Sequence, residues 1–175
     1  MRKSNPLTPK LLLAAAALAA AASLRADDPA GETRLMRFPA TNGREIVFSY
    51  ADQLYSVPAE GGAARRLTNG PGYAVFPRFS PDGAQLAFTA QYDGNTEVYL
   101  MPAAGGTPRR LTYTATLGRD DLGDRMGPNN IVMAWKNRTP EVLFRSRKIS
   151  FNDFNGQLFS VGVDGDLPRQ LPVPR

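Results

Sequence analysis

The chain has 175 residues, 42% hydrophobic and 21% charged, with a formal net charge of +5. It contains no histidine and no cysteine. That excludes Ser-His-acid triads, thiol nucleophiles, His- or thiolate-held metals and any disulfide framework.

The first element stands apart from the rest. Arg2, Lys3 and Lys10 form a positive segment, and Leu11 to Ala22 is an unbroken run of Leu and Ala. Small residues then lead to Ala26, followed by Asp27 and Asp28. This order predicts a secretory signal peptide over residues 1–26, cut after Ser23 or Ala26. The apolar run is too short to cross a bilayer core, which needs about 20 residues. Export to the periplasm is therefore expected, with a membrane met only on the way out. Without residues 1–26 the chain holds 17 basic and 16 acidic side chains. The high isoelectric point owes much to the leader and does not argue for a nucleic-acid surface.

From residue 34 onward, short Val/Ile/Phe/Tyr-rich runs alternate with Gly- and Pro-rich turns, which predicts strands rather than helices. A motif recurs. Leu54-Tyr55-Ser56-Val57-Pro58-Ala59-Glu60-Gly61-Gly62 leads to Arg65-Arg66-Leu67-Thr68. Forty-four residues on, Val98-Tyr99-Leu100-Met101-Pro102-Ala103-Ala104-Gly105-Gly106 leads to Arg109-Arg110-Leu111-Thr112. The third copy, Leu158-Phe159-Ser160-Val161-Gly162-Val163-Asp164-Gly165 with Arg169-Gln170-Leu171-Pro172, comes 60 residues after the second. About 16 extra residues are therefore assigned to an inserted loop near 113–130.

Each copy reads as four strands. In the second these are expected at 73–79, 84–90, 96–102 and 107–112. Leu86, Phe88 and Ala90 face one way and Gln85, Ala87 and Thr89 the other, as in a strand with one packed face. Ser80-Pro81-Asp82-Gly83 and Tyr92-Asp93-Gly94-Asn95 supply its first two turns, and Gly105-Gly106 the third. Asn42-Gly43 and Lys136-Asn137-Arg138-Thr139 are the matching first turns of the other copies. Four antiparallel strands at this period define a β-propeller blade. The expected organisation is blade 1 at 34–68, blade 2 at 73–112 and blade 3 at 130–172. A six-bladed ring needs roughly 250 residues or more, so three blades are expected to be part of a larger propeller. The fold class is all-β, a partial six-bladed propeller over residues 34–175.

Phe79-Ser80-Pro81-Asp82-Gly83 with Leu86-Ala87-Phe88 resembles the propeller repeat of TolB and of tricorn-type proteases. The likeness to tricorn protease homologues is the closer one. Leu35-Met36-Arg37-Phe38-Pro39 opens the domain as those proteins do. Ile46-Val47-Phe48-Ser49-Tyr50 with Asp52-Gln53-Leu54-Tyr55 resembles their first blade, Phe88 to Asn95 their second, and Val142-Leu143-Phe144-Arg145-Ser146-Arg147 their third. In that family a six-bladed propeller precedes a second propeller, a PDZ-like domain and a serine-protease core that cleaves small peptides. The resemblance implies a non-catalytic gate, substrate guide or scaffold, in the N-terminal piece of a longer exported serine peptidase. The family's catalytic residues lie far C-terminal, so none is carried onto this chain. A TolB-like protein-binding propeller without enzymatic activity is the alternative. A half-propeller that assembles from copies is a third. The expected partners are peptides or further domains of the same polypeptide.

No catalytic residue, cofactor or metal ligand is assigned from sequence. Lys148 and Ser150 lie close together, but nothing orients them as a nucleophile and base. Arg119, Asp120, Asp121, Asp124 and Arg125 make a charged patch in the inserted loop whose spacing lacks the alternating ligands and central Gly of an EF-hand and whose arginines neutralise it. That loop is read as a contact for a peptide or another domain. Arg65-Arg66, Arg109-Arg110 and Arg169 recur at one blade position, which points to strand protection or pairing with a neighbouring blade. Tyr55, Tyr99 and Phe159, with Phe48, Phe88 and Phe144, are expected as packing between blades, and Trp135 as core.

Overall fold

The computed structural model describes residues 35–115, 122–123, 127–149 and 156–172. The expected leader, the acidic patch around Asp120 and Asp121, and Ser150 lie outside the described residues. Among the described residues, twelve strands form three four-stranded antiparallel sheets, each a meander in sequence order. The first holds β1 (Arg37–Thr41), β2 (Glu45–Tyr50), β3 (Gln53–Pro58) and β4 (Arg65–Arg66). The second holds β5 (Ala74–Phe79), β6 (Gln85–Ala90), β7 (Glu97–Pro102) and β8 (Arg109–Arg110). The third holds β9 (Ile131–Trp135), β10 (Glu141–Ser146), β11 (Gln157–Gly162) and β12 (Arg169–Gln170).

The turns form for local reasons. In the Ser80–Gly83 turn the Asp82 carboxylate takes the Ser80 hydroxyl at 2.5 Å and the Ala84 N–H at 3.0 Å. Gly83 has φ +72, a conformation that other residues enter only with strain. Asn42 makes the matching Asx turn in the first sheet, accepting from the N–H groups of Arg44 and Glu45.

The sheets pack face to face, and the period-2 alternation of the middle sheet sorts its side chains between two neighbours. Leu86, Phe88, Ala90, Tyr99 and Met101 join Val47, Leu54 and Leu67 of the first sheet in one core. Ala87, Val98, Leu100 and Leu111 join Val132, Trp135, Val142, Phe144, Phe159 and Val161 in the other. The expectation of one packed face is therefore corrected for the middle sheet. In β6 every residue from Leu86 to Ala90 is buried, because a blade with two neighbours has two dry faces. In β10, at the end of the stack, buried Val142, Phe144 and Ser146 alternate with partly exposed residues.

Hydroxyls add a repeated link between sheets. Ser49 donates to the Ala74 carbonyl at 2.9 Å, and Thr89, at the equivalent place, donates to the Asn130 carbonyl at 3.0 Å. Arginines add another. Arg109 hydrogen-bonds the Val163 carbonyl in the third–fourth strand turn of the next sheet. Arg65 reaches the corresponding Gly105 turn of the second sheet.

The first strands converge. β5 lies against both β1 and β9. Arg78 donates to the Met133 carbonyl at 3.0 Å, and the Trp135 indole N–H donates to the Arg78 carbonyl at 2.9 Å. β1, β5 and β9 thus form the inner edge of the stack.

Candidate functional site

Each meander places its first–second and third–fourth turns on one rim and all other connections on the opposite rim. On the first rim the third–fourth turns have the same length in every sheet, at residues 59–64, 103–108 and 163–168. On the opposite rim the second–third connections are residues 51–52, 91–96 and 147–156, and the sheet-to-sheet connections are 67–73 and 111–130. The connections of that rim range widely in length, whereas the first–second turns of the other rim, at residues 42–44, 80–84 and 136–140, differ little. Binding residues concentrate where loops vary over a fixed scaffold.

Where this rim meets the inner edge there is a cleft of about 230 Å³ between the first two sheets. Phe38, Tyr50 and Val75 supply apolar walls, Leu122 of the long connection lies against it, and Arg37 and Asp52 stand at its border. Among the described residues, neither Arg37 nor Asp52 has an ion-pair partner. Four non-glycine residues have positive φ among the described residues: Phe38 (+53), Ala51 (+45), Asp52 (+64) and Phe76 (+54). Three line this cleft, and the ring of the fourth, Phe76, lies 4.2 Å from that of Phe38. Left-handed backbone at a bulky residue stores on the order of 1–3 kcal/mol and clusters at functional sites.

The cause of the two Phe conformations is legible in the chain. Phe38 precedes Pro39 and Phe76 precedes Pro77. Proline has no N–H to give to the ladder. The registers of β1 on β2 and of β5 on β6 shift across those two residues. The resulting bulges re-aim the phenyl rings on the inner edge. The three-fold repeat does not single out this pair. A Phe-Pro dipeptide recurring at the first strand was the available signal.

The aromatics singled out by the repeat sit elsewhere. Phe88 and Tyr99 stack at 6.0 Å, Phe144 and Phe159 at 5.7 Å, and Phe48 and Tyr55 at 6.1 Å. The first four of these rings lie inside the two cores. Trp135 is in the core between the second and third sheets. Burial pushes the Tyr92 phenol up to about 12, with the Thr68 hydroxyl opposing.

A polar node anchors the long connection. Glu97 is fully buried. Its carboxylate accepts from Arg110 at 2.8 Å, Thr112 at 2.5 Å, and the Thr114 N–H and hydroxyl at 2.6 and 2.8 Å. Asn130 donates to it at 3.0 Å from the far end of the same connection. Gln53 occupies the equivalent position in the first sheet and, among the described residues, accepts only from Thr68, at 2.8 Å. Arg110 also lies 3.4 Å from Asp93 and 4.5 Å above the Tyr113 ring. Lys148 lies 4.5 Å above the Phe159 ring, and burial lowers its pKa while the Glu97 charge opposes that shift. Among the described residues no group of three or more His, Cys, Asp or Glu side chains could hold a metal ion.

Three face-packed meanders with converging first strands define a β-propeller-type protein. The family described as the tricorn protease N-terminal beta propeller domain matches residues 33–175, and the chain belongs to that family. It is 35% identical over 82 residues to Tricorn protease homolog 1 of Streptomyces coelicolor, covering 47% of this chain and 8% of that protein. It is 42% identical over 48 residues to the Tol-Pal system protein TolB of Bordetella pertussis, covering 27% and 11%. The chain thus spans only a small part of either relative. In fold it resembles the crystal structure of the tricorn protease, with TM-score 0.60 and 20% identity over 75% of this chain and 12% of that one. It resembles TolB from Acinetobacter baumannii to a similar degree, with TM-score 0.59 and 19% identity over 79% of this chain and 32% of that one.

Proposed function

We propose that the chain is the propeller portion of an exported tricorn-like serine peptidase, a non-catalytic guide that holds peptides on their way to a catalytic module elsewhere. The observation that carries this reading is the strained Phe38–Phe76 pair on the inner edge, beside an apolar cleft bordered by Arg37 and Asp52. Such a wall suits an extended peptide, whose apolar side chains stack on the rings while charged groups meet the border. The absence of His and Cys from the whole sequence keeps the usual triads off this chain. The positive segment and Leu/Ala run of residues 1–26 support export. On this reading the three sheets are blades of a six-bladed ring. The TolB likeness supports a second reading, a protein-binding propeller with no peptidase attached. A peptidase module encoded downstream favours the first and a propeller that closes with none favours the second.

The test is peptide binding by the chain itself. Fluorescently labelled apolar peptides are expected to bind without being cut, as read by anisotropy and mass spectrometry. Phe38→Ala with Phe76→Ala is expected to weaken binding at least tenfold. Binding indifferent to both changes, or turnover abolished by altering a serine between residues 35 and 172, would overturn the proposal.

A further inference from the structure

The cleft between the first two sheets carries a carboxylate that the fold does not use. Asp52 sits in the two-residue turn between β2 and β3, where Ala51 and Asp52 have φ +45 and +64. Neighbouring groups pin that turn. The Asp52 carbonyl accepts the Ala74 N–H at 2.8 Å, and the Ser49 hydroxyl donates to the Ala74 carbonyl at 2.9 Å. Gln53, the next residue, donates to the carbonyls of Gly70 and Gly72 at 3.2 and 3.3 Å. The Asp52 side chain is exposed and, among the described residues, has no ion-pair or hydrogen-bond partner. The second sheet offers the contrast. Its turn carboxylate, Asp93, meets Arg110 at 3.4 Å and accepts from the Tyr99 hydroxyl at 3.1 Å. Asn-Gly would make the Ala51–Asp52 turn without strain, so strain is held at a charge that stabilises nothing else, which points to a ligand.

Two adjoining clefts share that carboxylate. The first, of about 230 Å³, has Phe38, Tyr50 and Val75 as its apolar walls. The second, of about 360 Å³, lies over Gly72 and Tyr73. Arg37 and Asp52 line both. The floor of the second is fixed. Tyr73 is buried with its hydroxyl 2.9 Å from that of Thr96, and a Cβ at Gly72 would collide with the Gln91 carbonyl oxygen. The groove thus joins an apolar pocket to a rigid open floor, with one anion and one cation where they meet. A small cleft with a lone carboxylate selects a ligand whose apolar group and cation are close in covalent structure. In the first residue of a peptide both hang from the same Cα. A lysine carries its ammonium at the end of a four-carbon stem, so its own side chain cannot reach Asp52 and fill the apolar pocket as well. Arg37, with donors and no acceptor, suits the carbonyl that follows.

We propose that this groove recognises the free N-terminus of a peptide. The α-ammonium meets Asp52, the first side chain enters the pocket of Phe38, Tyr50 and Val75, and the chain runs on past Arg37 over Gly72 and Tyr73. A charge-assisted hydrogen bond to a carboxylate set beside a water-poor pocket is among the stronger polar contacts, and a pinned site loses little freedom on binding. The inference rests on the reading of the chain as a peptide-holding propeller and adds which end of the peptide is held.

Fluorescence anisotropy with the purified chain and a short, C-terminally labelled peptide that begins with leucine tests it. Acetylating the peptide's N-terminus is expected to weaken binding at least tenfold, and so is replacing its first leucine by glycine. Asp52→Asn keeps a residue that accepts positive φ and is expected to erase the difference between the free and the acetylated peptide. Equal binding of those two peptides by the parent chain overturns the proposal and leaves the peptide-holding reading intact. An acetylated peptide with an internal lysine that binds as tightly as the free-amine peptide overturns it too, by making a side-chain ammonium the ligand. A preference for the free amine that survives in Asp52→Asn does the same. If neither the free nor the acetylated peptide binds, the peptide-holding reading fails and this proposal with it. The acetylation comparison uses the parent chain and decides the matter whether or not the variant folds.

Discussion

Replacing Glu97 tests the polar node that anchors the long connection. The Glu97→Ala change removes a fully buried carboxylate that accepts five hydrogen bonds. Arg110, with 17% of its side chain exposed, keeps the Thr112 carbonyl at 2.8 Å and, as its charged partner, only the more distant Asp93 at 3.4 Å. Removing one partner of a buried ion pair costs about 3–5 kcal/mol, much of it from the charge left behind. Asn130 is fully buried but retains other acceptors, the Thr96 carbonyl at 2.9 Å and the Thr114 hydroxyl at 3.0 Å, so its share is small. The expected loss for Glu97→Ala is therefore about 3–4 kcal/mol. Glu97→Gln keeps the volume and loses charge-assisted bonding, for about 1–3 kcal/mol. Gln53→Ala at the equivalent position loses an ordinary hydrogen-bond set, about 1 kcal/mol. The assay is urea unfolding followed by circular dichroism, with the midpoint read at constant slope. For a domain of this size the first change lowers Tm by roughly 10–15 °C. The reasoning is refuted if Glu97→Ala lies within about 1 kcal/mol of the parent, or if Gln53→Ala costs as much.

Asp52→Gly removes both strain and a border charge of the cleft. Ala51 and Asp52 form a two-residue hairpin turn with positive φ at both positions, a geometry that favours Asn-Gly. Thermal melts are expected to show a gain of about 1 kcal/mol, while anisotropy shows weaker binding of cationic peptides; loss of stability would contradict the strain assignment. Acid should loosen the third sheet. Hydrogen bonds from Ser160 and Lys136, with the Lys136 charge, hold the Glu141 carboxyl at about 2 against an ordinary 4.5. A depressed folded-state value means that this stabilisation is complete above pH 4.5 and disappears as pH falls towards 2. Urea midpoints across that range should fall less steeply in Lys136→Met than in the parent, and parallel curves would count against the assignment.

The strands were legible because their signals are local. The expected 84–90 and 96–102 became Gln85–Ala90 and Glu97–Pro102, bounded by the Asp-Gly turns that the sequence marks. What alternation did not reveal was how many faces are dry. Ala87 and Thr89 read as the exposed side of β6, yet both are fully buried, since that depends on the neighbour and not on the strand. The site was less legible for a similar reason. Positions common to all copies stand out in a repeat, and those are packing positions such as Tyr99 and Phe159. Phe38 and Phe76 escaped because Val132 stands in the third copy, and because a bulge reverses where a strand residue points. Glu97 escaped because single-copy replacement of Gln53 by a carboxylate looks like ordinary surface variation until its burial is known.

The unequal rims have an evolutionary consequence. Stretching a sheet-to-sheet connection from the length of residues 67–73 to that of 111–130 adds only about 1 kcal/mol of loop-closure entropy. No contact between sheets need move. The third–fourth turns of the opposite rim keep one length, and arginines of the preceding sheet reach them. New recognition can therefore accumulate on one side of this scaffold by insertion alone, while the third–fourth turns of the other side keep the spacing of the stack.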